Sequence, residues 1–371
     1  MPLNVLQIIP SISLVYGGPS QMVRGLSKAL AAQDVNVTVI TTDSNGDVDE
    51  APLDVPLGEP VDVDGYRILH FRCAPFRRYK FSTGLLSWLW QHAHEYDVAH
   101  IHALFSPVTS MAATIARLRG LPYVLRPLGT LDPADLQKKK LLKLPYITVL
   151  ERPNLKGAAA IHFTAPQEAE VSERFGLQTN DWVIPLGVMP SAPHPDAGQH
   201  IRQKFGIPEQ TPIVLFMSRV DPKKGLDLLL PALEQVKESG VDFHFILCGA
   251  NPQDRDYETA IANQIKTSRL AGQSTVTGFV SGDLKTQILQ GSDLFVLPSY
   301  YENFGIAVAE AMWAAKPVVI SNQVFIWPDI EKSESGWVVP CAVDPLVGAL
   351  KDALTDGDLR QQRGENAQQF A

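Results

Sequence analysis

Short apolar runs recur along this chain, each followed by a longer helix-like stretch, and that rhythm leaves few folds open. Strand-like runs fall at Leu3–Ile9, Val35–Thr42, Tyr66–Phe71, Val98–His102, Tyr123–Arg126 and Ala159–Phe163. A second series places strands at 213–217, 243–248, 275–278, 293–297 and 317–320, alternating with helices at 226–238, 255–269, 282–290 and 305–315. Strands that are apolar on both faces and joined by crossover helices are the buried strands of a parallel α/β sheet. Between the two series, Pro185-Leu-Gly-Val-Met-Pro190 with Pro193 and Pro195 breaks the rhythm. The pattern predicts α/β architecture: a first Rossmann-like domain over 1–187, a proline-rich hinge over 188–199 and a second Rossmann-like domain over 200–371. At 371 residues, each half is long enough to bury its own core.

Composition narrows the partners. Apolar content of 45% and charged content of 19% are those of a soluble globular chain. A net charge of −8 argues against a nucleic-acid surface. The charge is uneven: residues 1–190 carry 17 basic and 18 acidic side chains, and residues 191–371 carry 15 and 22. The near-neutral half holds two basic clusters, Arg72–Lys80 and Lys138–Lys143. Cys73, Cys248 and Cys341 are far apart and odd in number, which fits a reducing compartment rather than a disulfide framework. No apolar run reaches transmembrane length. Gln7 and Pro10 interrupt the first one, so it reads as a strand and not as a signal peptide. The expected location is cytoplasmic.

Two clusters carry the chemistry. The apolar run ending at Pro298 leads into Glu302-Asn303-Phe304-Gly305-Ile306-Ala307-Val308-Ala309-Glu310. Glu302 therefore sits at a strand's carboxyl end, and Glu310 about two turns into the next helix. Amides of Phe304, Gly305 and Ile306 can face an anion there, aided by the helix dipole. On spacing alone the stretch is equally a strand–loop–helix unit with a solvated glutamate and a cap. Ahead of it, Ser218-Arg219-Val220-Asp221-Pro222-Lys223-Lys224-Gly225 follows the strand 213–217. Two cations beside helix amides can hold a diphosphate without a metal, although taken singly they read as ordinary loop charges.

Together the clusters resemble the donor site of family-4 retaining glycosyltransferases, two-domain enzymes of the GT-B fold. The resemblance extends over nearly the whole chain and implies two domains facing a central cleft. It implies that Arg219 and Lys224 hold the donor diphosphate, and that Glu302 and Glu310 of the E-x7-E motif contact the sugar and the ribose. The loops around Gly249-Ala-Asn251 and Phe279-Val280-Ser281 are expected to hold the base, largely through backbone. Gly17 and Gly18, after Tyr16, match the family's glycine loop over the diphosphate. His102 matches the histidine placed under the transferred sugar, whereas His100 reads as a core histidine. Tyr16, Arg126 and His162 are candidate acceptor contacts at strand ends, each equally readable as structural.

The implied activity is hexosyl transfer, with retention, from a nucleotide-diphosphate sugar to a carbohydrate or lipid-linked hydroxyl, as in polysaccharide biosynthesis. No cofactor is expected. The D-x-D triplets at Asp47–Asp49, Asp62–Asp64, Asp254–Asp256 and Asp356–Asp358 read as turn chemistry, so no metal site is expected. Leu128–Tyr146 mixes Lys138, Lys139, Lys140 and Lys143 with leucines. Such a segment is either a solvated helix face or a peripheral contact with the inner face of a membrane. Two other classes fit parts of the pattern: a GT-B sugar-nucleotide epimerase, and a non-catalytic sugar-binding protein. Family members usually end in a helix crossing back to the first domain, and here Asn366–Ala371 is expected to begin one, as in a truncated chain.

Overall fold

The computed structural model describes residues 2–46, 50–137, 140–189 and 191–371. The triplet Asp47–Asp49 lies outside them. So do Lys138 and Lys139 of the basic run, together with the side chains at 140–142. The chain divides into two compact units, Met1–Gly187 and Val188–Ala371.

The first unit holds β1 (Asn4–Ser11), β2 (Asn36–Thr42), β3 (Pro60–Val63), β4 (Tyr66–Phe71), β5 (Val98–His102), β6 (Tyr123–Arg126), β7 (Ala160–Phe163) and β8 (Asp181–Val183). They form one sheet in the order β3-β4-β2-β1-β5-β6-β7-β8, parallel except where β3 runs antiparallel to β4. The second unit holds β9 (Ile213–Met217), β10 (His244–Cys248), β11 (Ser274–Gly278), β12 (Leu294–Leu297), β13 (Val318–Ser321) and β14 (Gly336–Val339). Their order is β11-β10-β9-β12-β13-β14, parallel throughout.

Every residue of β9, β10, β12 and β13 is buried, which is why these strands read as unbroken apolar runs. Phe216, Phe245 and Phe295 are fully enclosed, each worth about 1.5–3 kcal/mol of burial. In both units the order reverses beside the first strand, between β1 and β5 and between β9 and β12. In open α/β sheets, ligands bind beyond the strand carboxyl ends at such reversals. His102 ends β5. The Ser218–Gly225 segment leaves β9, and Pro298–Gly305 leaves β12.

Two expectations change. Helix does not extend over all of the segment 128–146: residues 128–132 lie outside it, and the described residues beyond are helical at Pro133–Gln137 and at Lys140–Tyr146, the latter with Pro145 inside, running into a π-turn at Ile147–Glu151. Proline lacks the amide that an α-helical ladder needs, and the wider turn absorbs the break. Asn366–Phe370 begins no new helix either. It is the last stretch of the helix Gly357–Phe370, which Asp356 caps and whose Gly364 lies tight against the Ala315 backbone. None of the helices among the described residues is long and apolar enough to cross a membrane.

Candidate active site

Glycine at 225 sets the geometry of the second unit's site. It takes φ +72°, and a Cβ there would run into the Pro298 carbonyl, so the loop leaving β9 lies directly against the loop leaving β12. The Tyr300 amide donates to the Lys223 carbonyl at 2.8 Å and closes the two loops together. Lys224 thereby reaches Glu302, and Nζ pairs with Oε2. The Glu302 backbone is fixed in turn: its amide donates to the Gln323 carbonyl at 3.0 Å, and its carbonyl accepts from the Phe325 amide at 2.9 Å.

Glu310, on the helix Ile306–Trp313, is held by Lys285 at 2.6 Å; Lys285 stands in the first turns of the helix Gly282–Gly291. Lys285 was absent from the sequence-derived site. The available signal was a lysine opening the helix that precedes β12 and so flanks the Glu310 helix. Gly305 caps its helix at φ +74°. Among the described residues, no acceptor takes the amides of Phe304, Gly305 or Ile306. The buried Asn303 Oδ1 also lacks a partner. The three amides are donors free to meet an anion, whereas Asn303 Oδ1 is an acceptor and is not among them.

Arg219 points elsewhere. Nη1 donates to Gln253 at 3.0 Å, and Nε stands 4.0 Å from Asp221, so the structure does not gather it with Lys224 and the two glutamates. The loop after β10 is rigid, with Asn251 tied to the Val220 carbonyl and to Glu258. Val280 is half-buried between β11 and the next helix, beside exposed Phe279. Asp254 and Asp356 cap helices, and Asp64 pairs with Lys28 at a turn. All three act as turn or cap residues.

In the first unit, the β5–β7 strand ends bring three histidines together. His100 lies between His102 and His162, with ring centroids 4.2 and 5.2 Å apart. His162 Nε2 must donate to the Ile184 carbonyl, at 2.8 Å. Its Nδ1 is therefore the acceptor for His100 Nε2, at 3.2 Å. His102 Nε2 donates to Gln7 Oε1 at 2.7 Å, which leaves its buried Nδ1 lone pair without a partner. Burial, then repulsion from neighbouring imidazoles and Arg126, pushes His100 and His102 well below the ordinary histidine range. Burial lowers His162 as well. All three are neutral near pH 7. Gln7, read only as an interruption of an apolar strand, thus fixes the His102 tautomer; a polar side chain inside a buried strand must find a partner.

Two glycine-loop expectations need correction. The Gly17 amide donates to Leu14 O at 2.9 Å, so only Gly18, at the helix start, keeps an unengaged amide. The Tyr16 hydroxyl bridges Ser44 Oγ at 2.9 Å and the Gly46 carbonyl at 2.6 Å, stapling loops together rather than waiting for an acceptor. Sequence reading also missed Glu151. Buried in the π-turn, it accepts from the Phe105 amide and Ser110 Oγ, both at 2.6 Å. It anchors a loop that holds Ala103 and Phe105 at positive φ directly after His102.

Comparison with known proteins agrees with this layout. Residues 17–187 match the family described as "Glycosyl transferase 4-like domain" and residues 198–370 match "Glycosyl transferases group 1". The chain belongs to the family-4-like glycosyltransferases. Among curated relatives, alpha-D-kanosaminyltransferase of Streptomyces kanamyceticus is 28% identical over 229 residues, 60% of this chain and 58% of that protein. The 2-deoxystreptamine glucosyltransferase of the same organism is 29% identical over 65% of this chain and 63% of its own length. The match thus spans less than two thirds of either relative. Sucrose-phosphate synthase from Thermosynechococcus elongatus superposes with a TM-score of 0.77 at 21% identity, over 99% of this chain and 94% of that one. This likeness establishes the GT-B fold. A glycosyltransferase family over both units does not favour the epimerase alternative.

Proposed function

We propose that the protein transfers a hexosyl group from a nucleotide-diphosphate sugar to a hydroxyl acceptor, with retention and without a metal. The observation that carries this reading is the convergence, at the β9/β12 switch point, of the Lys224–Glu302 and Lys285–Glu310 pairs on the unengaged amides of 304–306. Lys224, with Arg219 swung from Gln253, would take the diphosphate charge that grows as the bond from the anomeric carbon to the diphosphate oxygen breaks. The acceptor oxygen bonds to that carbon, and its proton passes to the departing diphosphate oxygen. Once Lys224 has turned to the diphosphate, Glu302 is free to accept from sugar hydroxyls. Glu310, held by Lys285, accepts from the ribose. His102 offers its Nδ1 lone pair to a hydroxyl of the transferred sugar. The two glutamates are not a glycosidase acid–nucleophile pair.

The acceptor is proposed to be a polysaccharide or glycolipid precursor. The basic run Lys138–Lys143 is proposed as a peripheral contact with an anionic membrane, and sedimentation with anionic against neutral vesicles checks it.

The deciding experiment is a panel of nucleotide sugars, scored by the shift in melting curve and by product formed with and without an acceptor. Ligand at a hundredfold excess over its dissociation constant adds about 2.7 kcal/mol of apparent stability. No shift with any donor would overturn the assignment, and product without acceptor would return the epimerase. Turnover is expected to survive excess EDTA. Loss on chelation with recovery on adding Mn²⁺ would refute metal independence.

A further inference from the structure

Arg126 ends β6 and faces His102 across the parallel β5–β6 register. The residue is 5% exposed. Among the described residues the side chain's one hydrogen bond runs from Nη1 to the Met22 thioether, at 2.9 Å, and the buried Nε has no acceptor at all. The groups that reach it electrostatically are His100, His102, His162 and Glu168. The histidines are neutral. Glu168 offsets some of the charge from a distance, but its Oε2 already accepts from the Thr164 amide and hydroxyl, both at 2.7 Å. Burial pulls the guanidinium down only to about 10, so it stays charged.

A buried cation without a partnered anion is costly, and such groups are ordinarily paired. Here the partner position is filled by a thioether, a weak acceptor on a flexible side chain. Met22 stands one turn into the helix Gly18–Ala31, directly after the glycine loop. Beside it, the His102 Nδ1 lone pair is also unpartnered. One cluster thus holds a charged donor and a neutral acceptor, both unsatisfied.

We propose that Arg126 anchors an anion subsite of the first unit, taking a phosphate or carboxylate carried by the acceptor, with Met22 standing where the anion's oxygen will bind. The word acceptor rests on the glycosyl-transfer reading, whereas anion binding at Arg126 does not.

Melting curves at constant ionic strength, with and without inorganic phosphate or acetate, test the subsite. Phosphate should raise the melting temperature of the wild type by about 2–4 °C. It should do the same for Arg219→Ala/Lys224→Ala, which lacks the other cations phosphate could meet. Arg126→Lys should keep the response. Arg126→Met should lose it and be at least as stable as the wild type without anion, because an apolar chain replaces an unpaired charge. Met22→Glu should supply the anion internally, melting higher without phosphate and responding little to it. A larger response to acetate than to phosphate would assign a carboxylate. No response in the wild type, an equal response in Arg126→Met, or a response lost with Arg219 and Lys224 would overturn the proposal. If no nucleotide sugar shifts any variant while the Arg126-dependent response persists, glycosyl transfer fails and the anion subsite stands.

Discussion

The two switch points treat their cations differently. In the second unit, Lys224 pairs with Glu302, Lys285 with Glu310, and Arg219 leans on Gln253 and Asp221. In the first, Arg126 is buried against a thioether among neutral histidines. The paired groups of the second unit are partly exposed, with side-chain exposures of 15–23% for the Lys224 and Lys285 pairs. Each pair holds its side chains in place, yet can be exchanged for a stronger anion at modest cost. On the proposed reading, a diphosphate that takes Lys224 would release Glu302 for hydroxyls, so that one exchange would ready two groups. At the first switch point Arg126 has no such exchange partner among the described residues, and the His102 Nδ1 lone pair beside it is likewise unpartnered.

The largest expected effect tests the exchange. Lys224→Ala and Arg219→Ala should each lower turnover about 10²–10³-fold, the usual loss when a charge-stabilising donor is removed, with the far-ultraviolet circular dichroism unchanged. Near-normal rates for both single variants at saturating donor would break the diphosphate assignment. A fall confined to Lys224→Ala would mean that Arg219 remains with Gln253 throughout.

The next effect separates the two pairs. Glu310→Gln should weaken binding of the bare nucleoside diphosphate and of the intact donor by about 1.5–3 kcal/mol, the worth of a charge-assisted hydrogen bond. Lys285→Met should reproduce part of that loss, because it frees the carboxylate to wander. Glu302→Gln should leave diphosphate affinity nearly unchanged and lower turnover. Calorimetric titration with both ligands decides between these roles, and loss of diphosphate binding in Glu302→Gln alone would reverse them.

How much of this was legible in the sequence follows from burial. β9, β10, β12 and β13 announce themselves because both of their faces are inside. β8 was silent because all three of its residues are exposed at the sheet edge. The helix Gly357–Phe370 buries only Gly364 and Ala367, so no apolar stripe marks it; a glycine pressed on a neighbouring backbone holds it instead. Chain position alone put Lys224 and Glu302 beyond strand carboxyl ends and Glu310 on the helix that follows. It could not show that Arg219 turns toward Gln253 or that the Tyr16 hydroxyl is already engaged, since these depend on which loops touch. Gln7 and Glu151 were visible as polar residues within apolar runs, but their partners are 95 and 46 residues away.

The last difference concerns pH, and it should divide the units. His70, His100, His102 and His162 of the first unit are all held below their ordinary value, chiefly by burial, against His244 alone in the second. A histidine that is neutral when folded and titrates near 6.5 when unfolded binds its proton on unfolding. Its stabilising contribution is therefore present above about pH 6.5 and is lost as pH falls toward the depressed folded value, by about 1.4 kcal/mol per pH unit for each such group. Glu151, raised by burial, works the other way and favours the folded chain at lower pH. Hydrogen-exchange mass spectrometry, corrected for intrinsic rates, should accordingly show β5–β7 losing protection between pH 7 and 5.5 while β9, β10 and β12 lose less. His100→Gln/His162→Gln should flatten that dependence in the first unit only. Equal losses in both units, or an unchanged slope in the double variant, would remove the histidines as the origin of the difference and leave ordinary carboxylate titration in their place.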